Sequence, residues 1–466
     1  MITNRQILID MVKRAIDSAA LVERYNVAAP RYTSYPTVPY WEPSTWSAKQ
    51  WTDHVRARFL ASSSQGIAIY VHLPFCERLC TYCGCNKRIT KNHSVEAPYI
   101  DAVLAEWQLY RNVLGTMAIP ISEIHLGGGT PTFFSPAQLK RLMDGLLQGC
   151  HILPNPSFSF EAHPANTTEA HLQTLFDAGF RRLSLGIQDF DLRVQRVINR
   201  WQTEADVERV MIGARRIGYS SVNFDLIYGL PLQTEESVQR TIRKALAMQP
   251  DRISFYSYAH VPWMQPGQRH YTEADIPKGR EKLALYSIGK TLIADAGYRD
   301  VGMDHFAFPE DSLCMAAAAG KLHRNFMGYT DRYSPLLIGL GVSSISDSWT
   351  AFAQNEKTVE TYTDRVKRGE LPVFKGHVLS DMDLTIRKHI LEVMCRGGTT
   401  LRMPVAQAAP ILERLAPLVA DRLVEVDGAH IQVTPMGLSF LRNTCMAFDE
   451  RLHEKQYTQP LFSSAV

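Results

Sequence analysis

Long apolar runs are missing from this 466-residue sequence: no segment approaches the eighteen or more apolar residues that a bilayer-spanning helix needs. No membrane partner is therefore expected. The opening Met1-Ile-Thr-Asn-Arg-Gln also lacks the apolar core of a signal peptide, and Asp10, Lys13 and Arg14 interrupt each early apolar stretch, which predicts a cytoplasmic protein. An excess of one charge is missing too. Fifty Lys and Arg against 47 Asp and Glu leave a formal net charge of +3, too little to argue for nucleic acid as a main ligand. Phosphate-binding glycine patterns are absent as well. The run Gly127-Gly128-Gly129-Thr130-Pro131 is neither Gly-x-Gly-x-x-Gly nor a P-loop, because no Lys-Ser/Thr follows it. Low-complexity tracts are lacking, and so is any repeat beyond a strand–helix unit. What remains is an ordinary globular composition, 45% apolar and 21% charged, in a chain long enough for one large domain with smaller appendages.

Cysteine is used unevenly. Cys150, Cys314, Cys395 and Cys445 stand singly and read as reduced core residues. The other four, Cys76, Cys80, Cys83 and Cys85, fall within Tyr70-Val-His-Leu-Pro-Phe-Cys-Glu-Arg-Leu-Cys-Thr-Tyr-Cys-Gly-Cys-Asn86. Three thiolates spaced Cys-x-x-x-Cys-x-x-Cys can each hold one iron of a four-iron, four-sulfur cluster, which normally takes four cysteine ligands. If only three bind, one iron stays open, and an open metal position is where chemistry occurs. Zinc is the inorganic competitor, but zinc sites usually pair two distant knuckles and no second one is present. A chance run of buried cysteines is the plain alternative.

Around this loop the sequence alternates. Strand-like segments at 67–72, 122–126, 158–162, 183–187, 222–227 and 253–258 are separated by helical segments near 96–114, 167–178, 191–198 with 204–217, 235–247 and 279–297. Such alternation predicts βαβ units, a parallel sheet and a (β/α)6 partial barrel of the α/β class. Ligands of such sheets sit at the carboxyl ends of the strands, where Glu161, Gln188, Asp225 and Ala259 fall, with Arg200 just beyond. Residues 1 to about 24 have helical apolar spacing. Pro30-Arg-Tyr-Thr-Ser-Tyr-Pro-Thr37 is a proline-bounded loop, and its Arg31 could meet a carboxylate. Past Lys357 the alternation stops. Helices at 380–396 and 404–418 and a hairpin at 423–433, turning on Asp427-Gly428, suggest a winged-helix-like unit. Its nearly uncharged second helix favours a cap over DNA binding. The expected division is 1–65 for an N-terminal helix and substrate-proximal loop, 66–356 for the catalytic barrel and 357–466 for a helical cap.

The Cys-x-x-x-Cys-x-x-Cys loop after a strand, with Tyr-x-His-x-Pro-Phe-Cys before it, Cys85 behind it and Pro30–Thr37 upstream, resembles the oxygen-independent coproporphyrinogen III oxidases of the radical S-adenosylmethionine superfamily. The similarity runs through nearly the whole chain and includes Gly302-Met-Asp-His-Phe-Ala307, Leu322-His-Arg-Asn-Phe326 and Gly339-Leu-Gly-Val-Ser-Ser-Ile345. The resemblance implies oxidative decarboxylation of two propionates of coproporphyrinogen III to vinyl groups, giving protoporphyrinogen IX in haem biosynthesis. It also implies an iron–sulfur cluster on Cys76, Cys80 and Cys83, with S-adenosylmethionine, in two molecules, as cofactor. Tyr70, Gly128, Glu161 and Ile345 look like contacts to the molecule on the cluster; Tyr82, Gly129, Thr130, Gln188, Arg200, Asp225 and Ala259 look like contacts to the second. Cys85, His72 and Arg31 are the candidate catalytic or substrate-holding groups, with Arg324 a weaker one. An external low-potential electron donor, an electron acceptor and a monomeric state are expected. The sequence departs from the family pattern at Tyr82, where phenylalanine also occurs, and at His163, where an aspartate is expected. The rival readings are a haem-binding chaperone and a radical enzyme with another substrate; Cys85 and Pro30–Thr37 argue against the chaperone, whose relatives generally lack both.

Overall fold

The computed structural model describes residues 20–41, 46–116, 118–454 and 462–464. Of the expected N-terminal helix only residues 20–25 fall in that range, and they are helical; the rest lies outside the described residues.

All six expected strands form. They are β1 (Ile67–Leu73), β2 (Pro120–Gly128), β3 (His151–Ala162), β4 (Arg182–Gln188), β5 (Ser221–Tyr228) and β6 (Arg252–Ser257). Each pairs in parallel with the next, so the strands lie side by side in chain order. Six more strands extend the sheet: β7 (Arg299–Gly302), β8 (His305–Ala307), β9 (Leu337–Leu340), β10 (Ile345–Asp347), β11 (Ala351–Asn355) and β12 (Val373–Val378). The full order is β12-β11-β10-β9-β1-β2-β3-β4-β5-β6-β8-β7, so the sheet curls without closing, as a partial barrel does. Strand β9 adds a parallel neighbour on the far side of β1, whereas β8 and β10–β12 run antiparallel. Strand β12 lies past Lys357, where the alternation was expected to end; it is an antiparallel edge strand that follows the helix Val359–Lys367.

Helices α1 (Ala48–Ser62), α2 (Glu96–Leu114), α3 (Pro136–Leu147), α4 (Glu169–Asp177), α5 (Glu204–Ile217), α6 (Glu235–Ala247) and α7 (Gly279–Asp295) cover the outside. Helix α6 shows why they form. The Thr234 hydroxyl accepts from the Ser237 amide and caps the start, and Val238, Thr241, Ile242 and Ala245 are buried at helical spacing. Burying a Val or Ile side chain contributes roughly 1.5–3 kcal/mol. In the strands the alternation is of period two: Phe224 and Leu226 of β5 point into the helical layer, while Asn223 and Asp225 face the barrel interior.

A smaller unit follows, with helices α8 (Asp381–Arg396) and α9 (Val405–Ala420) and a three-stranded sheet of β13 (Gly398–Thr400), β14 (Val424–Asp427) and β15 (His430–Val433). The expected hairpin forms, but Asp427 pairs with His430, so the two turn residues are Gly428 and Ala429 and Asp427 ends its strand. Its core holds Ile390, Ile411, Leu415 and Ile431, and it also takes Tyr32 and Tyr35 from the proline-bounded loop. The Tyr32 hydroxyl donates to Asp449 at 3.1 Å.

Candidate cluster and cofactor site

The cysteine loop leaves β1 at Leu73 and is pinned at its base. Phe75–Cys76 pairs with Arg88–Ile89, with Arg88 N donating to Pro74 O at 2.8 Å and Thr90 N to Cys76 O at 2.9 Å. Its far side is tied to the turn after β4: Thr81 N donates to Ile198 O at 3.0 Å and Asn199 Nδ2 to Leu79 O at 2.8 Å. Between these anchors Cys83 N closes a turn onto Cys80 O at 3.1 Å.

The glycine run serves this loop first. Gly129 N donates to Leu73 O at 2.8 Å and Thr130 N to Phe75 O at 3.1 Å, so the end of β2 is laced to the start of the cysteine loop. A Cβ on Gly129 would lie 2.5 Å from Pro74 O, a contact that no side chain tolerates. Gly128 has φ +115° and donates its N–H to a Glu161 carboxylate oxygen at 3.2 Å.

These elements enclose a cavity of about 570 Å³ at the carboxyl ends of β1–β6. Cys76, Cys80, Cys83 and Cys85 line it together with Tyr82, Gly128, Gly129, Thr130, Glu161, Gln188, Arg200 and Asp225, twelve of the eighteen residues singled out from sequence. Six lie elsewhere, among them Arg324, buried with its guanidinium over the Tyr329 ring. Tyr70 stands just behind, stacked on His125 with centroids 5.9 Å apart. Ala259 is joined to the cavity through Gln268, whose Nε2 donates to Ala259 O at 3.1 Å and Tyr82 O at 3.0 Å. Ile345 packs beside Trp41 and Phe352 in an aromatic cluster. His72 is buried with both ring nitrogens engaged, Nδ1 with the Tyr70 hydroxyl at 3.1 Å and Nε2 with Asn86 O at 2.9 Å; burial keeps it neutral by holding its pKa below the usual value. Arg31, expected at the barrel mouth, instead pairs with Asp304 at 3.2 Å, donates to Ser257 O at 3.0 Å and lines a separate cavity.

The donor set is soft and partly charge-balanced. Burial pushes the Cys76 thiol up to about 11, although the Thr130 hydroxyl at 3.4 Å opposes it. Cys83 is held down to about 6, chiefly by its hydrogen bond with Cys85, whose own thiol is pushed up by the same contact. Arg200 is buried: NH1 lies 3.6 Å from Cys80 Sγ and 3.5 Å from the Tyr82 hydroxyl, Nε donates to Gln202, and NH2 bonds Gly186 O. A cation so placed offsets the charge of neighbouring thiolates. Three thiols at Cys-x-x-x-Cys-x-x-Cys spacing, lining one cavity, fit a polynuclear group whose irons take one thiolate each. Asp225 accepts from Ser184 Oγ at 2.7 Å and Asn223 Nδ2 at 2.8 Å, and burial lifts it to about 6.

Sequence reasoning missed Tyr256, which also lines the cavity. The alternation of β6, with Ile253 and Phe255 in the helical layer and Ser254 and Tyr256 on the other face, was the signal that could have found it. It missed Lys87 too, whose Nζ donates to Cys83 O at 3.0 Å and Cys85 O at 3.3 Å and so stiffens the loop end.

The profile of the Radical SAM superfamily matches residues 70–245. Over 448 residues the chain is 37% identical to the oxygen-independent coproporphyrinogen III oxidase of Pseudomonas aeruginosa, covering 93% of this chain and 96% of that protein. Against the protein of the same name from Escherichia coli the identity is 38% over 449 residues, covering 94% and 96%. The solved structure of the coproporphyrinogen III oxidase of Escherichia coli, described as a radical SAM enzyme, is similar with a TM-score of 0.85 at 36% identity, covering 90% of this chain and 97% of that one.

Proposed function

The chain belongs to the oxygen-independent coproporphyrinogen III oxidases, radical S-adenosylmethionine enzymes, and we infer that the cysteine-lined cavity is where it performs that family's reaction. It oxidatively decarboxylates two propionates of coproporphyrinogen III to vinyl groups without oxygen, using a four-iron, four-sulfur cluster and S-adenosylmethionine. The observation that supports this site is the convergence of three laced thiols, a buried arginine and two carboxylates at the carboxyl edge of one parallel sheet.

When bound, the cluster and S-adenosylmethionine supply a 5′-deoxyadenosyl radical, which removes the propionate hydrogen that no side-chain base can take. The protein's part is holding and shielding. Cys76, Cys80 and Cys83 would each hold one iron of the cluster, which leaves one iron for the cofactor. Glu161, braced by the Gly128 amide with its side chain 45% exposed, and Gly128 itself meet the cofactor's polar groups. Arg200 keeps the site's charge near balance while bracing β4 through Gly186 O. We assign Tyr82, Gly129, Thr130, Gln188, Asp225 and Ala259 to a second S-adenosylmethionine. Cys85 acts beside the cluster without ligating it, since the single glycine between it and Cys83 leaves little chain to reach a different iron. An external low-potential donor, a separate electron acceptor, a monomeric state and a cytoplasmic setting complete the proposal. Among the described residues no helix is long and apolar enough to cross a membrane.

The test is anaerobic reconstitution with iron and sulfide, followed by S-adenosylmethionine, a strong reductant and coproporphyrinogen III. Formation of protoporphyrinogen IX with release of carbon dioxide is expected. Cofactor cleavage without any loss of carbon dioxide would assign the chain to another substrate.

A further inference from the structure

A second cavity, of about 540 Å³, lies between α7 and the segment Met436–Arg442 of the smaller unit, and this is where Arg31 is found. Three cations meet at its inner end. Arg31 pairs with Asp304, Lys282 Nζ donates to Tyr258 O at 3.3 Å, and Arg442 donates to the backbone carbonyls of Ala29, Pro30, Ser463 and Ser464. Asp304 is the carboxylate among them; farther along, Lys290 is tied to Asp300 at 2.7 Å and Asp295 adds one negative group. Burial, with Arg31 and Arg442 next in weight, pushes Lys282 down to about 8, and Arg442 is pushed down to about 10 for similar reasons. Positive groups crowded like this gain from an entering anion. The walls are apolar and aromatic: Val22, Tyr228, Leu283, Tyr286, Met303 and Phe440.

We propose that this cavity binds the tetrapyrrole outside the barrel, its apolar ring body against the tyrosine and leucine walls and its carboxylates toward Arg31, Lys282 and Arg442. The volume lies in the range of small-molecule sites, and a large apolar body with several carboxylates satisfies both the walls and the cations. The position fits a holding site. Ser257 lines this cavity and its chain neighbour Tyr256 lines the cysteine cavity, so the two are separated by the end of one strand. The ligand class rests on the function inferred above. The site itself rests on the cavity.

Coproporphyrin III and protoporphyrin IX, the air-stable oxidised relatives of substrate and product, are the probes. Equilibrium dialysis with the reconstituted full-length protein, saturated with S-adenosylmethionine to fill the cysteine cavity, should show tight binding of one or both. Lys282→Met removes a cation, and Ser287→Trp fills the cavity from an exposed position on α7. Each should weaken binding at least tenfold while S-adenosylmethionine cleavage by a strong reductant stays native, which also reports that the variants are folded. Preference for coproporphyrin assigns the site to substrate, and preference for protoporphyrin assigns it to product. Binding within twofold of the parent protein in both variants would overturn the proposal. Failure of the parent protein to convert coproporphyrinogen III would instead strike the function and leave the dialysis result standing.

Discussion

Glu106 offers a test of how the cysteine loop is braced from behind. It sits fully buried on α2 and accepts from Asn355 Nδ2 at 2.6 Å, Tyr362 Oη at 2.6 Å and Gly341 N at 2.8 Å. Two turns earlier, the Tyr99 hydroxyl donates to His72 O at 2.7 Å and accepts from Val342 N at 2.9 Å, so this helix carries the end of β1 and the turn after β9 together. Burial lifts the Glu106 carboxyl from 4.5 to about 7, despite those three donors. An acid whose folded pKa is raised binds its proton more tightly when folded, so its contribution to stability is fully present below pH 4.5 and is lost as pH rises through 7. The shift corresponds to about 3 kcal/mol at 1.36 kcal/mol per unit. Glu106→Gln cannot ionise. Its amide must place one N–H against a donor, at a cost of roughly 1–3 kcal/mol, part of which the Tyr362 hydroxyl recovers by turning to accept. Urea unfolding should therefore find the variant less stable than the parent at pH 5, and the gap should close or reverse by pH 8. Other buried acids titrate in the same window, Asp449 and Asp225 among them, so only the difference between the two proteins isolates Glu106. Parallel stability curves across that range would refute the argument.

Five further outcomes are expected. Cys80→Ser should lose the cluster and all cofactor cleavage, whereas Cys85→Ala should keep native iron content and lose turnover; iron and sulfide analysis beside an activity assay checks both. Gly129→Ala should fail to assemble the cluster, because the added methyl meets Pro74 O at 2.5 Å and the cysteine loop must move to admit it; the iron content of the reconstituted variant reports this. Arg31→Ala removes a pair whose side chains are 32% and 13% exposed, so it should cost under about 1 kcal/mol in a thermal melt while weakening retention of coproporphyrin. Arg200→Met should leave the fold intact but lower both cluster occupancy and cofactor affinity, read from iron content and a binding titration, since Cys80 and Gly186 O lose their buried cation.

Legibility in the sequence followed from how local each signal was. The six parallel strands were readable because β-branched and aromatic runs alternate with capped amphipathic helices, and each such signal lies within one element. Strands β9–β12 were not, because each is only three to six residues long and β10–β12 pair antiparallel, outside the strand–helix alternation. We propose to set the end of the barrel unit after Val378, since β12 pairs along its length with β11. At the site, strand-end residues on the inner face could be read from period and position. Arg31 could not, because its location depends on Tyr32 and Tyr35 being drawn into the core of a unit whose residues lie hundreds of positions away.

His163 shows how a departure from pattern is absorbed. It lines the cysteine cavity, and its Nδ1 accepts from the Ala165 amide at 3.2 Å, capping the short turn that follows β3. An aspartate there would accept the same hydrogen bond, so the role that the fold demands at this position is acceptance and not charge. Burial, with Arg200 next in weight, holds the imidazole well below its usual pKa and so keeps it a neutral acceptor. The change removes one negative charge from a cavity that also holds Arg200, Glu161 and Asp225. Arg200 is then held by Gln202 and Gly186 O, with Cys80 Sγ and the Tyr82 hydroxyl at 3.6 and 3.5 Å, the arrangement in which a single buried guanidinium serves the cluster loop.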